Sequence, residues 1–248
     1  MQSFRAAFQN ELWLMVYRKK VVAFFLVSAL LPVLLALALH ALQPYLGLMA
    51  ISGSFPVQML DLYAALWLPL FIISVTADLF PNEVASRTLK LSLLRPNTRL
   101  QVFLSKVAAL GAGIGSLLLI LGLVTFACNA FAGSPIPMAE WLRIVVAYAA
   151  SFLAMLALSA LFVFVSQWFR SAGGFIVFSI LLYGAAKISP FFVSSISAFS
   201  PFSYSDWHVL WLSSTVSAGK LTTSTLFLLS SCCLFFALSS YIFDRKEG

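Results

Sequence analysis

Only 9% of this 248-residue chain is charged, and one group of ionisable residues lies in FPNEVASRTLKLSLLRPNTR, residues 80–99. Glu83, Arg87, Lys90, Arg95 and Arg99 fall in that stretch, between two apolar runs. Their chemistry is that of a polar contact surface, because no catalytic arrangement accompanies them. A phosphate-binding loop needs G-x-x-x-x-G-K-[ST], where the glycines let backbone N–H groups close on phosphate. The one Gly-Lys pair, Gly219-Lys220, has Ser214 at the first glycine position and Leu221 at the hydroxyl position. His40 and His208 lie far apart without a neighbouring Glu, so the H-E-x-x-H zinc pattern is missing. No G-x-S-x-G elbow occurs, and the eight acids do not form a paired-carboxylate dyad for acid–base work. Cys128, Cys232 and Cys233 sit inside apolar runs without metal-ligand spacing. The chain is therefore expected to be no enzyme, with no cofactor or metal of its own.

The elements that must carry the charged stretch are membrane helices. Hydrophobic residues make up 62% of the chain, mean hydropathy is +1.00 and there are 24 Phe, whereas soluble proteins carry charge on about a quarter of their residues. The fold class expected is an all-α polytopic membrane protein forming one domain over 1–248. Six spans are expected, at about 21–43, 60–79, 103–131, 141–166, 173–189 and 221–243. YRKK followed by a long apolar run resembles a signal peptide, but that run exceeds the usual ~7–15 residues of such a region. The preceding stretch is also patterned: Phe4, Phe8, Leu12 and Met15 recur at helical spacing while Gln2, Arg5 and Gln9 fall elsewhere. Residues 1–18 thus read as an amphipathic interfacial helix.

Basic residues then orient the spans, since short cytoplasmic loops are enriched in Lys and Arg. Twelve of the fifteen fall on one side, in the N-terminal segment, the second-to-third connection, Arg170 and the tail; Arg143, Lys187 and Lys220 fall on the other. Both termini are expected to be cytoplasmic. The net charge of +7 flanks apolar segments instead of forming a stripe on a soluble surface, so nucleic acid is not an expected partner and membrane lipid is. Pro32 and Pro69 free helix carbonyls that neighbours must satisfy. Gly111 and Gly115 in GAGIG permit close helix packing. Asp61 and Lys187 fall near outer span ends, where they are candidates to pair as an outer gate. The outer segment 190–220 is rich in aromatics (Phe191, Phe199, Phe202, Tyr204, Trp207, Trp211) suited to an interfacial belt.

Within the opening stretch, Asp78 or Asn82 is a candidate cap, Pro81 suits a first turn and Pro96 ends the element, giving a short helix at about 82–95. Its polar residues do not segregate to one face, as expected of a helix wedged between membrane and a second protein.

The segment DLFPNEVASRTLKLSLLRPNTRLQVFLSK resembles the region before the third span in ABC-2-type transporter permeases, the membrane subunits of bacterial ABC exporters. The likeness rests on Glu83, Thr88, Leu89, Leu94, Pro96, Arg99 and Lys106, with an amphipathic N-terminus containing Glu11 and a basic tail. It departs at Arg87, where many relatives carry Gly. The resemblance implies that 82–95 is a coupling helix seated on a separate cytoplasmic ABC ATPase dimer, which binds ATP and Mg. It implies ATPase-coupling roles for Glu83 and Arg87 as polar contacts, Leu89 and Leu93 as apolar plugs, and Thr88 within the motif. It also implies a second permease subunit, as homodimer or heterodimer, in the bacterial cell membrane. A membrane-embedded enzyme acting on lipid or peptide, or an energy-independent channel or assembly factor, is the alternative; an enzyme would need polar groups deep in the spans, such as Thr125, Asn129 and Gln167.

Overall fold

The long apolar runs fold as helices because a chain in hydrocarbon must satisfy its N–H and C=O groups internally. The computed structural model describes residues 2–46, 55–86, 98–131, 137–189, 201–213 and 216–245. Helix α1 is Gln2–Val16 and α2 is Lys19–Leu46; α3 (Phe55–Leu62), a π-turn (Tyr63–Trp67) and α4 (Leu68–Leu79) form one continuous rod. The short α5 (Pro81–Ala85) follows, then α6 (Arg99–Phe131), α7 (Met138–Ser166) and α8 (Ala172–Ile188). A 3₁₀ turn (Pro201–Tyr204), α9 (His208–Leu212) and α10 (Ala218–Arg245) complete the described chain. Among the described residues, five helical runs are long and apolar enough to cross a bilayer: Lys19–Ala41, Phe55–Ala85, Arg99–Phe131, Glu140–Ser166 and Ala218–Arg245. The expected fifth span, α8, is apolar but has 17 residues, about 26 Å at 1.5 Å per residue. The protein is a multi-pass all-α membrane protein.

Helix α4 is the centre of the packing, buried nearly all round and packed on α7 and α8. Phe71, Phe103, Phe162 and Phe175 fill the spaces around it. By contrast α2 and α10 bury only 22% and 17% of their most apolar windows, so most of their surface faces lipid or another subunit.

Both span prolines have their missing donor replaced by a tyrosine from another part of the fold. Pro32 offers no N–H to the carbonyl four residues back, Ser28 O, and Tyr63 Oη donates to that atom at 3.1 Å. Pro69 likewise offers none to Ala65 O, to which Tyr183 Oη of α8 donates at 2.6 Å. Trp67 Nε1 donates to Ser28 Oγ at 2.7 Å. The π-turn lies just before Pro69 and closes through the Leu68 N–H to Tyr63 O, placing Tyr63 and Trp67 against Ser28 of α2. The freed carbonyls thus become fixed joints between α2, the α3–α4 rod and α8.

The GAGIG segment packs closely, though its tightest point is not the expected pair. A Cβ on Gly111 or Gly115 would meet Leu156 or Phe152 of α7 at 3.4 Å, an ordinary contact. One on Gly113 would lie 3.1 Å from Met15 and 3.2 Å from Phe71. It is Gly113 that admits α1 and α4 to the surface of α6.

The aromatic segment also departs from a lipid-facing belt. Phe202 and Trp207 are buried, with Phe202 ring-packed on Phe162 of α7 and Tyr183 of α8. Tyr204 and Trp211 are half-buried, while Phe191 and Phe199 lie outside the described residues.

Candidate coupling site

The charged stretch begins where α4 ends. Phe80 turns the chain (φ −118°, ψ −71°), Pro81 occupies the first turn of α5 as expected, and Ser86 closes the helix through its N–H to Asn82 O. Glu83 therefore sits in the only full turn of α5 and is aimed back at the bundle. There it meets Lys106 of α6, whose side chain has no solvent exposure. Lys106 Nζ lies 2.5 Å from Glu83 Oε1 and 3.2 Å from Glu11 Oε1 of α1. A buried ammonium is costly unless paired and hydrogen-bonded, so the two carboxylates hold Lys106 and Lys106 in turn ties α1 and α5 to α6. Glu11 is itself buried, and its Oε2 has no hydrogen-bond partner among the described residues.

Three further joints surround this triad. Asp78, at the end of α4, pairs with Arg18 at 3.3 Å and Lys20 at 3.5 Å, on either side of the start of α2. Phe80, Phe103 and Phe243 pack ring on ring, with centroids 5.6–6.2 Å apart, joining the α4–α5 break to α6 and the end of α10. Arg99 Nη1 donates to Asp244 O at 2.6 Å. The first turn of α6 is held by a capping box, in which the Gln101 N–H donates to Thr98 Oγ1 and the Thr98 N–H to Gln101 Oε1. Asp78 is therefore an ion-pair partner of the α1–α2 junction and not the cap of α5, whose N-cap is Phe80; Asn82 lies inside the helix.

Of the sequence-predicted coupling residues, Glu83 is placed at this junction. Arg87, Thr88, Leu89 and Leu93, with the rest of the expected helix to residue 95, lie outside the described residues. The sequence reading assigned no role to Lys106 or to Glu11 in holding Glu83. A signal for Glu11 was present: it lies three residues after Phe8 and four before Met15, on the apolar face of α1, where an acid needs a partner.

At the opposite end of the bundle the expected pairing of Asp61 with Lys187 is replaced. His208 Nε2 lies 2.6 Å from Asp61 Oδ1, and Lys187 Nζ lies 3.0 Å from Asp206 Oδ2. The physical reason is that the folded segment 201–213 brings its own acid and imidazole to these helix ends, so each charge finds a nearer partner. Of the polar groups an embedded enzyme would need, Thr125 Oγ1 donates to Leu121 O at 2.8 Å and lies 3.3 Å from Tyr148 Oη, and Gln167 Nε2 donates to Val163 O at 3.2 Å. Asn129 is buried, and Gln167 Oε1 is buried without a hydrogen-bond partner among the described residues.

A family model described as ABC-2 family transporter protein matches residues 40–247, which take in every spanning helix but the first, since only the last turns of α2 from residue 40 on fall within it. The chain belongs to the ABC-2 transporter family. It is accordingly a permease of the ABC transporters, a membrane transport subunit, and the family implies association with an ABC ATPase and often with a partner permease. No curated protein is similar enough to the chain to be matched. Helix α1 precedes the matched residues, so the triad joins an element outside the family match, through Glu11, to two inside it, through Glu83 and Lys106.

Proposed function

We propose that this chain is the permease subunit of an exporter in the bacterial cell membrane, forming its pathway with a second permease and driven by a separate cytoplasmic ATPase at the α5 region. Both termini lie on the cytoplasmic side, where the basic residues concentrate. The observation that carries this reading is the convergence of α1, α5 and α6 on buried Lys106. A permease without a nucleotide site must receive free energy through a contact surface. A five-residue helix anchored through Glu83 to a 33-residue span is a short lever on a long rod. ATP-driven closure of the ATPase dimer pushes on the segment that begins at α5, Lys106 passes the displacement to α6, and Glu11 carries α1 with it. Arg87, Thr88, Leu89 and Leu93 supply the remaining contacts with the ATPase in this scheme. Asp61 and Lys187, each held by segment 201–213, belong to an outer gate that opens when that segment moves.

The test uses the assembled transporter in membranes. Glu83→Ala is expected to insert normally and to lower transport-coupled ATP hydrolysis; unchanged hydrolysis and transport would remove Glu83 from the scheme. Cysteine at Ser86, which is exposed, or at Thr88 is expected to crosslink to a single-cysteine ATPase. Clean failure across several positions sinks the docking scheme.

A further inference from the structure

Away from the triad, an open apolar groove of about 380 Å³ runs along the junction of three helices. Val16 of α1, Val22, Phe25, Leu26 and Ala29 of α2, and Ile120 of α6 line it. Val22, Leu26 and Ala29 are spaced four and three residues apart, so the groove follows one face of α2 over about two turns. Val16, Val22 and Leu26 are exposed at 51%, 42% and 58%; the groove is open to the side.

What stands at its end is polar and positive. Lys19 lies three residues before Val22 on the same face of α2 and is exposed. Arg18 and Lys20 flank it, and both pair with Asp78. Lys19 is therefore left without an ion pair among the described residues. Trp13 of α1 and Tyr17, just past its end, stack with centroids 5.8 Å apart and are exposed at 62% and 76%. They lie three residues before Val16 and one after it, as side chains at headgroup level do.

We propose that this groove is a binding site for one anionic glycerophospholipid, its acyl chain along α2 between Phe25 and Ile120 and its phosphate at Lys19. The order aromatic pair, unpaired cation, apolar channel is the order of a phospholipid from headgroup to tail. A second copy of the chain fits less well, because a two-fold axis along the membrane normal would bring the exposed Lys19 of both copies to one level of the same interface, where like charges repel. The site sits beside the α1–α2 junction that Asp78 clamps, and the proposal stands whether or not the ATPase acts at α5.

The experiment is native mass spectrometry of the purified full-length protein from micelles holding equal phosphatidylglycerol and phosphatidylcholine of the same chains. Wild type is expected to retain one phosphatidylglycerol in preference, by about fivefold per unpaired cation near the surface. Lys19→Glu, at an exposed position, should remove the headgroup preference. Val22→Trp, also exposed, should lower retention of both lipids by filling the channel. Equal retention of the two lipids by wild type overturns the proposal, as does an undiminished preference in Lys19→Glu or undiminished retention in Val22→Trp. Conversion of dimers to monomers by Val22→Trp in the same spectra also overturns it, and assigns the groove to a second copy. Circular dichroism of each variant establishes that it is folded.

Discussion

Tyr183→Phe removes one oxygen from the joint at Pro69, and its effect should depend on that proline. The hydroxyl donates at 2.6 Å to Ala65 O, which Pro69 cannot serve. Losing a typical hydrogen bond costs about 1 kcal/mol, and a buried acceptor left without a partner about 1–3 kcal/mol. Measured bonds between membrane helices average about 0.6 kcal/mol with a maximum near 1.7, so about 1.5 kcal/mol is expected for a carbonyl with no helical donor. In a Pro69→Ala background residue 69 regains its N–H, which takes Ala65 O into the helix ladder. Tyr183→Phe should then cost under about 0.5 kcal/mol, a coupling of about 1 kcal/mol in the double-mutant cycle. Equilibrium unfolding of the four proteins in mixed micelles, followed by circular dichroism, measures it. Equal losses in both backgrounds, with coupling below about 0.3 kcal/mol, would refute the claim that tyrosine substitutes for the donor that proline lacks.

Lys106→Met leaves Glu11 and Glu83 facing each other without their cation and should destabilise by about 3–5 kcal/mol; the triple change Glu11→Gln, Lys106→Met, Glu83→Gln should recover most of that in the same unfolding assay. Because the triple variant also lacks the ionic joint, it should fold yet keep transport-coupled ATP hydrolysis low, and full hydrolysis in it would separate the triad from coupling. Gly113→Leu should cost about 1–3 kcal/mol by overpacking against buried Phe71 and Met15. Gly113→Ala should be milder, and Met15→Ala should relieve part of it, since the nearest atom is the far end of the flexible Met15 thioether, with the Phe71 ring next.

The sequence by itself determined that the chain lives in a membrane, where five of its spanning helices lie to within about six residues, and that a short helix starts at Pro81 after the second of them. Those properties follow from hydropathy, proline chemistry and the sparse charge, which act along the chain and need no knowledge of neighbours. It also showed that Pro32 and Pro69 would leave carbonyls in need of donors. Which donors is a tertiary matter: Tyr63 reaches Ser28 across 35 residues and Tyr183 reaches Ala65 across 118. The same limit applies to charges. Asp61 and Lys187 looked like partners because they were the ionised groups at neighbouring span ends, until a short folded segment supplied His208 and Asp206 at closer range. Glu11, Glu83 and Lys106 were each visible as residues, but a salt-bridge triad is a statement about three helices at one point in space. Hydrophobicity decides only that a helix is buried in lipid or protein; side-chain packing decides which helices meet, and with them which charges are held together out of water.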